Sequence, residues 1–596
     1  MNVFLKNIRT LFHPKEIKLM IILLFGMIIM AILEVIGIAS VIPFISIVSD
    51  SNVIHSNKYL SFFYQYFSFN DDHQFLIATG AFLLGVLIIS NMFKLFMSWV
   101  LVSFTTKSTH LIASRLFRLY LNQSYEFYIN RNSSELSKNV LSEVARAMSG
   151  VVMPIMESIS KFMIIFFIII GLIIVDPIMA ITSILVLSFV YVLVYMFVRK
   201  NLYNIGIKST VAISDCFKTT NEAMLGIKEL KLYGLESKFY KRFFSPSEKQ
   251  GKYKAQSSII SILPSFVLET LAFGGIVLII IILIGKNQTV GQVIPLLSLY
   301  ALAGYRLLPA LQAIYRGLTN TRYNLPAFNI LIEDISIAST ELSHHEKNIA
   351  TLAFKDSIRF KNVCFSYSGS RAQVLNDINF VIQSNTTVGL VGSTGAGKTT
   401  VVDILLGLLL SKSGQVEIDQ ALLTKKNIAN WQKNIGYVPQ DIHLIDATIE
   451  ENIAFSSYSS EIDFEKIAEV SKIAELSSFV EDLPNQYKTN IGERGVKLSG
   501  GQRQRIGIAR ALYRDPSLVV FDEATSSLDG ITEENVMNSI NKLNHKKTIV
   551  IIAHRLSSLK RCDIIYMLED GNIADKGSFE ELIEKNDKFR RMAKTL

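Results

Sequence analysis

Cysteine is scarce. The 596 residues hold only Cys216, Cys364 and Cys562, with no CxxC pair and no Cys/His pairing. That excludes a disulfide framework and a readable zinc site, and leaves three ordinary thiols. Charge is scarce too: charged residues make up 19% of the chain against 50% hydrophobic, too apolar a balance for an ordinary soluble enzyme. With a mean hydropathy of +0.34, disordered, collagen-like and small disulfide-stapled chains are excluded, because so apolar a sequence can bury far more surface than its ordering costs. The first apolar run is too long for the core of a cleaved leader and no small-residue cleavage site follows it, so it is expected to stay in place.

What the sequence does have is long apolar runs, all in its first half. A bilayer's hydrocarbon thickness asks for about 20 apolar residues per helix, and six runs qualify: Leu19 to Val48, Phe75 to Val102, Val151 to Val175, Ile178 to Val198, Ile259 to Gly285 and Val290 to Leu318. As buried core helices of a soluble protein they would leave no polar faces for water. Lysine and arginine set the expected orientation, since basic short segments stay cytoplasmic. Lys6, Arg9, Lys15 and Lys18 precede the first run, Lys107, Arg115, Arg118, Arg131, Lys138 and Arg146 lie between the second and third, and Arg199 to Lys254 is richer still. The opposite loops carry chiefly Lys58 and Lys286. Both termini are therefore expected in the cytoplasm. The net charge of +9, from 60 basic and 51 acidic residues, is accounted for by this bias, and no nucleic-acid partner is expected.

The connections 103–150 and 199–258 are longer than a turn and keep a helical pattern, so the spans are expected to protrude into the cytoplasm. Tyr125-Glu126-Phe127-Tyr128 and Glu222-Ala223-Met224-Leu225-Gly226 sit at their tips, candidate docking knobs for a soluble domain. Composition shifts near 320–350. The expected organisation is a six-helix transmembrane domain over 1–325, a linker over 326–350 and an α/β P-loop domain over 351–596.

In the second half, a strand at Thr387 to Val391 runs into Gly392, Ser393, Thr394, Gly395, Ala396, Gly397, Lys398, Thr399 and Thr400. This is a complete P-loop: glycines let backbone N–H groups curl round phosphate oxygens, Lys398 neutralises β/γ charge, Thr399 offers a hydroxyl to Mg²⁺, and the helix N-terminus adds its dipole. Leu518 to Glu523 reads as a buried strand ending in two carboxylates. Asp522 suits Mg²⁺ and Glu523 suits a general base for water attacking a γ-phosphate. The expected ligands are ATP and Mg²⁺.

Between these elements stands Leu498-Ser499-Gly500-Gly501-Gln502, and here the chain resembles the ATP-binding-cassette (ABC) exporters along essentially its whole length. The resemblance implies Tyr367 as the adenine-stacking aromatic, Gln440 as the Q-loop glutamine that joins Thr399 and Asp522 at the metal, Ser526 to Asp529 as the D-loop, and His554 as the switch histidine. It further implies that Ser499, Gly500, Gly501 and Gln502 complete the ATP site of the opposite protomer, so that a chain with six spans and one cassette is a half-transporter working as a dimer. With Glu523, His554 and the signature all intact, a homodimer is favoured over unequal partners. In such exporters a cytoplasmic tip reaches the partner's cassette.

Ionisable residues within the spans are costly and face a cavity or a partner. Glu34, Lys94, Glu269 and Arg306 qualify. Pairing of Glu269 with Arg306 between adjacent spans is one reading, with Lys94 snorkelling to the surface. A cationic belt built on Arg306 that attracts a phosphate-bearing head group is the other. The external segment Asn57 to Phe67 is aromatic enough to lie flat as an interfacial helix or to anchor span ends. Together with Glu34, Pro43-Phe44 and Tyr305-Arg306-Leu307, it makes the membrane half resemble the bacterial flippase that moves lipid-linked oligosaccharide across the inner membrane for protein glycosylation. That resemblance implies a polyprenyl-pyrophosphate glycan or related glycolipid as substrate, moved from the cytoplasmic to the outer leaflet. A peptide or drug exporter is the alternative.

Overall fold

A computed structural model describes residues 2–49, 51–175, 177–285, 290–342, 352–370, 372–455, 462–523, 530–541, 546–553 and 556–594. The chain divides into two compact units, one comprising 1–123 and 131–342 and the other 124–130 and 343–596.

The first unit is helical. It opens with α1 (Asn2–Leu11), α2 (Pro14–Ala39), α3 (Val41–Ser49), α4 (Val53–Ser56) and α5 (Lys58–Tyr66). The 50-residue α6 (Asp72–Leu121) spans about 75 Å at 1.5 Å per residue, more than twice the hydrocarbon core of a bilayer. The chain returns through α8 (Ser133–Lys138), α9 (Val144–Ala147) and α10 (Met153–Val175), with α7 (Tyr125–Ile129) at the turn. Two π-helical turns, Asn139–Glu143 and Met148–Val152, interrupt the regular pitch on either side of α9. A buried Glu143 sits at the first, paired with Arg146 at 2.9 Å and Lys138 at 3.8 Å. The remaining helices are α11 (Pro177–Leu225), α12 (Ile227–Leu232), α13 (Glu236–Gly285) and α14 (Val290–Leu342).

Among the described residues, three helical stretches, Pro14–Gly37, Asp72–Leu121 and Ser133–Ile173, are long and apolar enough to cross a membrane. The three later apolar runs lie in α11, α13 and α14. The connections expected to continue the spans as helix do so. Two expected boundaries move. α11 ends at Leu225 and the second tip is the separate helix Ile227–Leu232, one turn beyond Glu222 to Gly226. Residues 326–342, expected as linker, continue α14, because apolar Ala327, Phe328, Leu331 and Ile335 recur at helical spacing and are fully buried.

The second unit is α/β. A four-stranded sheet has the order β2 (Leu375–Gln383), β1 (Ser357–Phe365), β4 (Ser413–Ile418), β5 (Ala421–Leu422). A six-stranded sheet has the order β10 (Asn572–Gly577), β9 (Ile564–Glu569), β3 (Thr387–Gly392), β8 (Thr548–Ile552), β7 (Leu518–Asp522), β6 (Ile435–Val438). Its inner pairs are parallel. As expected for a sheet covered on both faces, β7 and β8 are apolar runs buried end to end. Alternate residues divide between two cores: Val519, Phe521, Ile549 and Ile551 face one, and Leu518, Val520, Val550 and Ile552 the other.

Candidate functional site: a nucleotide cradle and an intramembrane charge cluster

The carboxyl ends of parallel strands are where an open α/β sheet gathers ligand groups. Asp522 at the end of β7 pairs with Ile552 of β8, which pairs with Leu390 of β3, two residues before the P-loop. From Gly392 the chain turns into α15 (Lys398–Leu405) through Gly397, the helix N-cap, at φ +97°. A Cβ there would meet Leu375 Cδ2 at 2.6 Å, so both backbone sign and space require glycine. Lys398 Nζ donates to the carbonyls of Gly392 at 2.7 Å and Ser393 at 3.0 Å. Burial holds its pKa below the ordinary lysine value, against the opposing pull of Glu523 and Asp522.

Asp522 Oδ2 accepts from the Tyr437 hydroxyl at 3.2 Å, and Gln440 Nε2 donates to Glu523 Oε2 at 2.8 Å. Glu523 occupies the left-handed region at φ +51°, uncommon for a side chain of this size, and strain of this kind concentrates at functional sites. Its N–H is tied to the Ile552 carbonyl at 3.1 Å. Tyr367, expected as the adenine platform, lies over α15 with its hydroxyl 3.1 Å from Thr400 Oγ1. Thr399, Gln440 and Asp522 offer hard oxygen donors of the kind Mg²⁺ takes, and when bound that ion supplies positive charge against the phosphates. His554 and the segment Ser526 to Asp529 lie outside the described residues.

The signature segment does something the sequence reading left out. Ser499 is the N-cap of the helix Gly500–Tyr513: its Oγ accepts from Gln502 N at 3.2 Å, while Gln502 Oε1 accepts from Ser499 N at 2.8 Å. This capping box fixes the helix start and leaves the Gly500 and Gly501 backbone at its positive end. Two further residues, Tyr437 and Asp403, were not named from the sequence, whereas the tip at Tyr125 to Tyr128 was. Tyr437 orients Asp522. Asp403, one and a half turns along α15 from Lys398, has its pKa pushed up to about 6 by burial and then by Asp522. Tyr125 of α7 lies within electrostatic reach of Asp403 and Tyr367, and the Ser368 hydroxyl donates to Glu126. The first tip thus packs with the cassette of its own chain, beside the nucleotide residues. Only Tyr437 had a local signal, three residues before Gln440 on a strand next to β7.

Within the membrane helices the charges do not pair as expected. Arg306 of α14 bonds Glu34 of α2 at 3.0 Å, and Lys94 of α6 bonds the same carboxylate oxygen at 3.3 Å. Glu269 lies on an exposed face of α13 instead. Lys94 is therefore no snorkelling residue. Lys161 of α10, overlooked in the sequence, stands within electrostatic reach of Glu34, Lys94, Glu157 and Arg306. α13 and α14 do pack together, as α2 does on α6 and α10 and α10 on α14, so it is the exposed placement of Glu269 on α13, not a lack of helix contact, that keeps it from Arg306. The aromatic segment does form a helix, α5, capped by Asn57 and exposing Tyr59, Phe62, Phe63 and Tyr66. Beside it, Pro43, Leu60, Phe63, Phe67, Phe75 and Phe82 line an almost wholly apolar cavity of about 500 Å³.

Residues 20–305 match the ABC transporter transmembrane region and residues 375–526 the ABC transporter cassette. The heterocyst differentiation ATP-binding protein HepA of Nostoc sp. is 33% identical over 62% of this chain and 60% of its own. The ATP-dependent lipid A-core flippase of Saccharophagus degradans is 29% identical over 83% of this chain and 82% of its own. The β-(1→2)glucan export protein NdvA of Rhizobium etli is 40% identical over 39% of this chain and 40% of its own. Except for the Saccharophagus protein, the chain spans less than two thirds of the length of these relatives. The structure of a bacterial Atm1-family ABC exporter with ATP bound superposes with a TM-score of 0.77, at 21% identity, over 96% of this chain and 98% of that one. The cassette match implies ATP hydrolysis coupled to transport. One polypeptide thus carries a region matching the ABC transporter transmembrane model and a region matching the ABC transporter model, in the fold of an ABC exporter.

Proposed function

We propose that two copies of the chain form a homodimer that uses Mg·ATP to flip a polyprenyl-pyrophosphate-linked oligosaccharide, or a related glycolipid, from the cytoplasmic to the outer leaflet of a bacterial inner membrane, with both termini and the cassettes in the cytoplasm. The observation that carries this reading is the cluster of Arg306, Lys94 and Lys161 on three different membrane helices. Such charges within hydrocarbon are costly and stand where they meet a partner or a polar pathway, and here three cations gather round Glu34. The apolar cavity at α5 offers a place for a lipid tail. Relatives named for lipid A-core and for glucan handle cargo of related chemistry.

In the cassette, Gly392 to Thr400 cradle the phosphates, with Lys398 leaving its carbonyl partners for phosphate oxygens. Tyr367 stacks on adenine, and Thr399, Gln440 and Asp522 hold Mg²⁺. Glu523 takes the proton of the attacking water, and His554 is the second catalytic residue. Residues 499–502 close the partner's site. ATP favours the closed cassette pair and its hydrolysis removes that preference. The tips at 125–129 and 227–232 relay the motion, the first on its own cassette and the second on the partner's.

The charge reversal Arg306→Glu is the direct test of the head-group assignment. Flipping of a short-glycan polyprenyl pyrophosphate in vesicles should be lost while basal ATPase activity is retained. Unchanged flipping at normal expression would remove the pyrophosphate assignment and favour the peptide or drug exporter.

A further inference from the structure

Glu34 sits at the centre of the membrane charge cluster, yet it is poorly matched to its neighbours. Its side chain is 8% exposed, whereas Lys94 and Arg306 remain 36% and 27% exposed. Both cations bond the same atom, Oε1. The second oxygen, Oε2, is buried and has no hydrogen-bond partner among the described residues. A guanidinium reaches its strongest pairing when it grips two oxygens at once, and a buried acceptor without a donor is costly. A pair evolved only to fasten α2 to α14 would be expected to use both oxygens.

The charge balance points the same way. Among the described residues, Arg306 and Lys94 bond Glu34, and Lys161 has Glu34 and Glu157 within electrostatic reach, so these three cations are set against two carboxylates. A phosphate group carries several acceptor oxygens. It can take Arg306 with two of them and still reach the two ammonium groups, which one oxygen of Glu34 cannot do.

We propose that Glu34 is a stand-in anion: without cargo it occupies Arg306 and Lys94, and the phosphate of an anionic lipid head group takes over these cations, with Lys161 as third contact. The inference rests on the flippase reading for the lipid that carries the phosphate. It assigns Glu34 a part in specificity, because a neutral head group has no means of displacing a carboxylate from two cations. It also makes cargo arrival a structural event, since release of Glu34 breaks the bonds that tie it to Lys94 of α6 and Arg306 of α14.

The test uses the full chain in lipid nanodiscs, with decaprenyl pyrophosphate as probe and decaprenol as neutral control. Glu34→Gln should tighten binding of the pyrophosphate lipid about tenfold, since a site no longer held by an internal competitor is competent all the time, and should leave decaprenol binding unchanged. Unchanged or weaker binding of the pyrophosphate lipid to the folded variant would overturn the proposal. Should Glu34→Gln fail to insert, Glu34→Ala, which also removes the carboxylate and leaves every cation in place, reads the same effect: binding tighter than wild type supports the proposal and equal or weaker binding overturns it. Inorganic pyrophosphate should not displace the lipid probe, and displacement would assign the cations to a soluble anion instead. A wild-type protein that fails to flip the glycan-bearing lipid, with the Glu34→Gln gain present, would remove the flippase reading alone. A wild-type protein that flips it, with no gain in the variant, would remove the Glu34 inference alone.

Discussion

At position 403 a carboxyl group sits on α15 with little water around it and the Asp522 charge nearby, and its pKa is pushed up to about 6 from an ordinary 3.8. The folded protein therefore holds this proton more tightly than the unfolded chain does. Between about pH 4 and pH 6 the native state carries the excess proton, so this group's contribution makes stability fall as pH rises through that window. Asp403→Asn, which cannot ionise, should raise the cassette's melting temperature at pH 7, with a difference from wild type that shrinks toward pH 4. An equal shift at both pH values would mean that the effect is packing and not charge. Glu523, by contrast, has its backbone in a left-handed conformation and its side chain on Gln440, a placement that makes its carboxylate available at the strand end beside Asp522.

At the scale of elements, Asp334 of α14 is a point where several helical segments meet. It is buried and accepts from Tyr120 of α6 at 2.5 Å, Arg131 at 2.6 Å and Asn139 at 2.8 Å. Arg131 is the residue at which the chain re-enters the helical unit after the tip helix α7. Removing one partner of such a buried pair leaves the other charge uncompensated and typically costs about 3–5 kcal/mol. Asp334→Ala should therefore lower the melting temperature of the solubilised protein markedly, and a change of a degree or less would contradict the network's role. None of this was legible in the sequence, because its four residues are separated by up to 214 positions. The same reason misled the reading of Glu269, which is apolar-flanked and close in sequence to Arg306. Hydropathy gives the length of a span but not its rotation or its neighbours. The P-loop and the 518–523 strand were legible because their chemistry lies in consecutive residues whose backbone the motif itself dictates. Ser499 stands between these cases: its identity was readable, its capping bond with Gln502 was a local pattern passed over, and its role across a dimer needs a second chain.

For the whole molecule, the order of elements explains how one polypeptide joins two chemistries. Helices of about 50 residues carry the apolar runs well beyond the bilayer thickness, so that segment 124–130 packs with the cassette while its flanks belong to the helical unit. A change at the nucleotide residues then has a covalent route to α6, and through Arg131 and Asp334 to α14, which carries Arg306. The Gly206 contact shows how little slack such helices have: a Cβ there would lie 2.2 Å from the Tyr323 carbonyl oxygen, so α11 and α14 touch backbone to backbone. The central claim, that ATP turnover moves an anionic glycolipid, is tested most directly by following a short-glycan polyprenyl pyrophosphate across vesicles containing the purified protein, wild type beside Glu523→Gln. The account predicts ATP-dependent movement by the wild type. It predicts loss of both movement and hydrolysis in the variant, by about 10²- to 10⁴-fold as expected for removal of a general base, with ATP binding preserved. Brisk hydrolysis by the wild type without movement of the lipid would contradict it.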